Sequence, residues 1–358
     1  MFGALRFLLS YLVVLSHLVD SAYLVHFGFY AVRGFFVISG YIITSALNEV
    51  YGFAGARFWA NRLLRLLPPY YLVCALTVVA IFLLPNYAGE FLKHWHYDDV
   101  RASDVLMNVL VLPLQFPWAH FRIFPPYWSI AVELVMYALL WLVIARREAF
   151  AAIALGAGIV YHLACFDVGW SWSARYFTAP SALLSFAVGA LIYFLRRRGA
   201  LNVGPRVAWV AFTGWIANMV VAGSIFPEQY IFGAGYYIGT LYFAMLVAGL
   251  AGQKFAPRLA AFDHVLGELA YPVFLLQWVV GFAVAVTFFP GVWRGWELTL
   301  AMTPVLIAAA YALSRAHERL IEPLRRRLRG EAQRQTVARA AAADPLASGA
   351  APATRLSS

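Results

Sequence analysis

The chain has 358 residues, of which 63% are hydrophobic and only 12% charged, with a formal net charge of +10. That charged share is about half that of an ordinary soluble domain, which excludes a water-soluble globular protein. The basic excess lies in short clusters between apolar runs and in the tail, so the composition implies an integral membrane protein partnered by the lipid bilayer, with no nucleic acid.

In chain order, the apolar stretches predict an all-α polytopic fold with ten transmembrane helices: 4–24, 28–47, 67–85, 128–145, 149–166, 177–195, 206–223, 232–251, 265–288 and 296–314. The first resembles a signal peptide, but a cut after Ala22 would put Asp20 where a small residue is needed, so it reads as a retained helix. Arg57, Arg62 and Arg65 follow the second stretch, Arg146 and Arg147 the fourth, and Arg196, Arg197 and Arg198 the sixth. Lys254 and Arg258 follow the eighth, and the RRRLR run follows the tenth. Every basic cluster then falls on one side, so both termini are expected in the cytoplasm.

Residues 105–117 are apolar, too short to span and interrupted by Pro113, and read as a re-entrant or interfacial segment. Residues 1–329 are expected to form one membrane domain, and 330–358, rich in Ala, Arg and Ser, a disordered cytoplasmic tail. Cys74 and Cys165 sit inside apolar stretches, so no disulfide framework is expected.

Several ionisable residues interrupt this apolar background. Arg6 and His17 are eleven positions apart, about three helical turns or roughly 16 Å, so they share a face, with His17 near the middle of a bilayer. A neutral imidazole there suits removal of a proton from a hydroxyl. Arg62 and Arg65, three apart, can form a fork for phosphate oxygens, though from spacing alone contact with lipid headgroups is the simpler account. Arg33 and Glu133 enter from the same side to similar depth and are expected to pair or to line one water-filled cavity. Gly34 and Gly40 permit close helix approach, and Ser39 can hydrogen-bond across helices. His26, His120 and His162 are weaker candidates near the outer mouth, and the HWH run at 94–96 lacks the further ligands of a metal site, so no metal is expected.

These pieces converge on a known pattern. The R-x10-H spacing of Arg6 and His17, "FFVISGY" at 35–41, "RFWANRLLRLLPPYY" at 57–71, "YWSIAVELVMY" at 127–137, "LGELAYPVFLLQW" at 266–278 and "ERLIEPLRRRL" occur in the order found in membrane acyltransferase family 3. The chain resembles that family over residues 1 to about 330. The resemblance implies a ten-helix domain of the bacterial inner membrane that moves an acyl group, commonly acetyl, from cytoplasmic acyl-CoA to an acceptor hydroxyl. The acceptor is often an envelope or exported glycan, hence a carbohydrate or glycolipid partner. It further implies that Arg6, Arg62 and Arg65 hold the coenzyme A phosphates and that His17 does the chemistry, either as general base on the acceptor hydroxyl or as a transient acyl carrier. Glu133, Arg33, Ser39 and Trp128 would serve catalysis or the acceptor in the outer half of the cavity. The chain departs from the pattern at Gln277, where the family commonly has a histidine, and at Leu134, which leaves Glu133 without its usual polar neighbour. The competing readings are a transporter or flippase for a lipid-linked saccharide, and a non-catalytic scaffold in which the charges staple helices together. The lack of an internal repeat or of paired half-helices weighs against transport.

Overall fold

The computed structural model describes residues 2–21, 23–97, 100–111, 120–225, 228–253 and 255–330, the side chains of 221–229 aside. Backbone in hydrocarbon must satisfy its own polar groups, and a helix does so within one segment. The described residues accordingly contain helices and no strand. The long helices are α1 (Phe2–Leu18), α2 (Val25–Ser45), α3 (Gly55–Leu83), α6 (Tyr127–Leu142), α7 (Glu148–Asp167), α9 (Ala179–Arg197), α10 (Pro205–Ile225), α12 (Ala234–Leu250), α13 (Pro257–Phe288) and α14 (Trp296–Leu320). Short helices α4 (Pro85–Phe91), α5 (Ala102–Leu110), α8 (Trp172–Tyr176) and α11 (Glu228–Ile231) lie in the connections. Six helical stretches are long and apolar enough to cross a membrane: Val25–Tyr51, Gly55–Leu83, Glu148–Asp167, Trp172–Arg197, Pro257–Phe288 and Trp296–Leu320. α1, α6 and α12 are apolar but shorter.

The helix ends differ from those that hydropathy suggests. α3 begins at Gly55 rather than 67, so the amphipathic turns carrying Arg62 and Arg65 and the apolar turns after Pro68 and Pro69 form one helix of 29 residues. At about 1.5 Å per residue it is longer than the roughly 30 Å hydrocarbon slab, and the excess is its basic N-terminal part. α13 likewise begins early, with Pro257 in its first turn, where a missing N–H costs nothing. α1 stops at Leu18 instead of 24, and the Leu18 carbonyl accepts the Gly295 N–H at 2.9 Å. α5 covers the first part of the 105–117 segment and ends at Val111 in the left-handed region, φ 52°. Residues 112–119 and the tail from 331 lie outside the described residues.

Two close approaches set the frame around the site. α1 lies along α13: the Asp263 carboxylate accepts the Gly3 and Ala4 N–H groups at 3.2 and 2.8 Å, and Ser10 Oγ donates to the Ala270 carbonyl at 2.6 Å. Asp263 thus satisfies two of the free N–H groups at the start of α1. α2 crosses α9 through two glycines. A Cβ on Gly189 would stand 2.2 Å from the Val37 carbonyl oxygen, and one on Gly40 2.3 Å from the Phe186 carbonyl oxygen. Both backbones are in the way, so neither glycine can be enlarged without separating the helices. Gly189→Ala is therefore expected to destabilise the protein by about 1–3 kcal/mol in thermal unfolding in nanodiscs. Gly156→Ala, whose Cβ meets nothing within 4 Å, should be neutral or slightly stabilising.

Candidate active site

The first turns of α1 and α3 and the middles of α2, α6 and α13 enclose a cavity of about 800 Å³ including its open mouth. Its polar lining comprises Arg6 and Ser10 of α1, Ser39 of α2, Arg62 and Arg65 of α3, Ser129, Glu133 and Tyr137 of α6, and Tyr271 of α13. Three guanidiniums thus share the space with one carboxylate. Among the described residues Arg62 makes one long hydrogen bond, to Asn61 Oδ1 at 3.4 Å, and lies over the Phe58 ring at 6.0 Å, while its buried Nε has no hydrogen-bond partner. Asn61 is itself held by its bond to the Arg325 carbonyl at 3.2 Å. Arg6 senses both Arg65 and Glu133 electrostatically. Guanidinium donors left over in this way suit a ligand with several anionic oxygens.

Glu133 does not meet Arg33. Its Oε1 accepts Ser39 Oγ at 3.0 Å and the Tyr137 hydroxyl one helical turn away. Arg33, only 3% exposed, points to a different group of helices: Nη1 donates to the Ser181 carbonyl at 2.9 Å and Nη2 to His162 Nε2 at 3.2 Å, while its guanidinium lies 4.7 Å from the centre of the Tyr236 ring. The expected Arg33–Glu133 pair is corrected for a geometric reason. The two have similar depth but project at different angles around the bundle, and depth alone does not bring side chains together. Glu133 lines the cavity described above and Arg33 lines neither that cavity nor the two described below.

His17 does not open into the arginine-lined cavity either. It lines a second one, of about 480 Å³, together with Ser16, Phe29, Trp128, Tyr176 and Phe177. The two cavities are adjacent, because Val32, Ser129 and Phe274 line both. Trp128 stands 4.8 Å from Phe177 and 5.1 Å from Tyr176 between ring centres, so the second cavity has an aromatic wall facing the imidazole. Ser16 hydrogen-bonds its own helix at Val13, and His17 is the one imidazole among the residues that line that cavity.

Sequence reasoning passed over Tyr137, although its spacing of four from Glu133 puts both on one helical face. It also missed a third, smaller cavity lined by Arg65, Glu268, His317 and Arg325. Burial, with Arg65 nearby, lowers Arg325 to about 10, against the opposing pull of Glu322. Glu322 holds it at 2.6 Å.

The residues converge as the motifs do. A model of the acyltransferase domain matches residues 2–315. The chain belongs to the acyltransferase 3 family. No curated protein and no solved structure matches it. Family and helical architecture together make the chain an integral membrane acyltransferase.

The single carboxylate among three guanidiniums generates a test that needs no substrate. Glu133→Gln removes the one negative charge in the lining, so tripolyphosphate should bind roughly fivefold more tightly, equivalent to about 1 kcal/mol at a partly exposed site. Unchanged affinity by calorimetry would show that Glu133 does not offset the guanidiniums.

Proposed function

We propose that this protein transfers an acyl group, acetyl in the first instance, from acyl-CoA to a hydroxyl of a carbohydrate or glycolipid acceptor in the bacterial inner membrane. The observation carrying the proposal is the pair of adjacent cavities, one rich in unpaired guanidinium donors and the other holding His17, joined at Val32, Ser129 and Phe274. The parity of the basic clusters supports ten spans with both termini cytoplasmic, so the arginine-lined cavity would open to the cytoplasmic donor.

The unpartnered Nε of Arg62 and the lack of hydrogen bonds to Arg6 and Arg65 among the described residues fit a polyphosphate. Arg6, Arg62 and Arg65 would hold the diphosphate and ribose phosphate of the donor, with the thioester carried past Ser129 toward His17. His17 then accepts the proton of the acceptor hydroxyl as its oxygen bonds to the acyl carbon. The carbon–sulfur bond breaks, and His17 returns the proton to the departing sulfur, leaving the ring neutral for the next cycle. Trp128 and its aromatic neighbours offer flat apolar faces to a sugar ring. Glu133, Ser39 and Tyr137 form a hydrogen-bonded group beside the arginines that orients the donor, whereas Arg33 shapes the acceptor side only indirectly, through the helices it ties together.

Transfer of radiolabelled acetyl from acetyl-CoA to a crude envelope-glycan extract by the protein in nanodiscs tests this directly. His17→Ala should reduce transfer roughly 100- to 10,000-fold with coenzyme A affinity unchanged. Arg62→Lys, which loses the bidentate fork, should weaken coenzyme A binding about tenfold. Ser129→Leu should leave coenzyme A bound but block passage between the cavities. Full transfer by His17→Ala overturns the assignment, and glycan movement without acyl-CoA consumption would favour a transporter.

A further inference from the structure

Gln277 of α13 is fully buried and makes two hydrogen bonds. Its amide nitrogen donates to the Phe274 carbonyl at 2.8 Å, and its Oε1 lies 2.9 Å from His17 Nδ1. A carbonyl oxygen only accepts, so the Phe274 contact fixes which end of the amide is nitrogen. The flipped amide would set two oxygens against each other. With the amide so oriented, Oε1 is the atom facing His17, and it too only accepts. His17 Nδ1 must therefore carry the hydrogen, and in the neutral ring the lone pair is on Nε2. The imidazole is held from its side as well, since the Trp278 ring lies 5.2 Å away at a 32° tilt. Arg294, from the connection between α13 and α14, covers the Trp278 ring at 5.0 Å and donates to the Phe91 carbonyl at 3.1 Å, fixing Trp278 in turn.

We propose that Gln277 is a positioning residue that locks His17 in the Nδ1–H tautomer and presents the Nε2 lone pair to the second cavity. The glutamine is a side chain that cannot itself act as a base, yet it does for the imidazole what a neutral orienting amide does beside a base in other hydrolytic and transfer sites. Its catalytic consequence rests on the acyl-transfer reading, whereas the tautomer does not. A glutamine can accept the Nδ1–H without adding charge, which spares the site a second buried ion.

The test is nitrogen NMR on protein labelled with 15N-histidine in nanodiscs, with the His17 signals assigned by their loss in His17→Asn. The expected wild-type spectrum shows His17 protonated at Nδ1 and unprotonated at Nε2. Gln277→Met, similar in length but without the amide, should yield a mixture of tautomers and lower kcat for acetyl transfer roughly 10- to 100-fold with KM for acetyl-CoA unchanged. A wild-type His17 protonated at Nε2 overturns the proposal, and so does an unchanged tautomer in Gln277→Met. An altered tautomer with unchanged kcat overturns the positioning role. The wild-type spectrum decides the tautomer whether or not the variant folds. If wild-type protein transfers no acyl group at all, the functional reading fails while the spectrum still answers the structural question.

Discussion

An ionisable group held away from water inside a helical bundle must find its compensation within a few ångströms, and that requirement organises this protein. Each buried polar group meets it in a different way. Arg33 is surrounded by a carbonyl, an imidazole and an aromatic face, and His17 by an amide and an indole. Glu133 has two hydroxyls. Arg6, Arg62 and Arg65 are less well supplied, because among the described residues the one hydrogen-bond acceptor they meet is Asn61 Oδ1, 3.4 Å from Arg62. Donors that outnumber their acceptors suit an anionic ligand, and these three line one cavity.

Close packing makes that arrangement rigid. The backbones of α2 and α9 approach each other through Gly40 and Gly189, while α1 is clamped to α13 by Asp263 at its first turn and by Ser10 lower down. Arg6 and His17 both belong to α1, so the clamp that fixes one fixes the other. The face of α1 that bears them is pinned to the helix that carries Gln277. Hence the separation of Arg6 and His17 is set by one helix of fixed rise rather than by a loop.

Much of this was legible in the sequence, but unevenly. Hydropathy located a helix at each of the ten apolar stretches, because an apolar stretch of that length has few alternatives to a helix. It misplaced ends, since hydropathy marks the apolar slab whereas the helix of α3 continues for three turns through Arg62 and Arg65 outside it. The three arginines that line the first cavity were legible as a group from their charge and spacing. Arg33 and Glu133 were not, because span depth can be counted along a sequence but the azimuth of a side chain depends on how helices are ordered around the bundle. The bond between His17 and Gln277 joins residues 260 positions apart, and no periodicity reports such a register.

The division into two cavities has a chemical consequence. A donor anchored by its phosphates at one end and an acceptor stacked on Trp128 at the other would meet only where Val32, Ser129 and Phe274 form the common wall. A polyanion bound in the first cavity would then stand apart from His17, whose cavity is lined by Phe29, Trp128, Tyr176 and Phe177. Under the proposed reading, water in the arginine-lined cavity would compete less directly for the acyl group, since a nucleophile would have to sit on the His17 side of the wall to be deprotonated. Ser129, with its small side chain and its hydroxyl turned to the Pro126 carbonyl, is the part of that wall least able to obstruct a narrow chain. Selectivity for acceptor over water would then arise from the wall between the sites as much as from the residues within either.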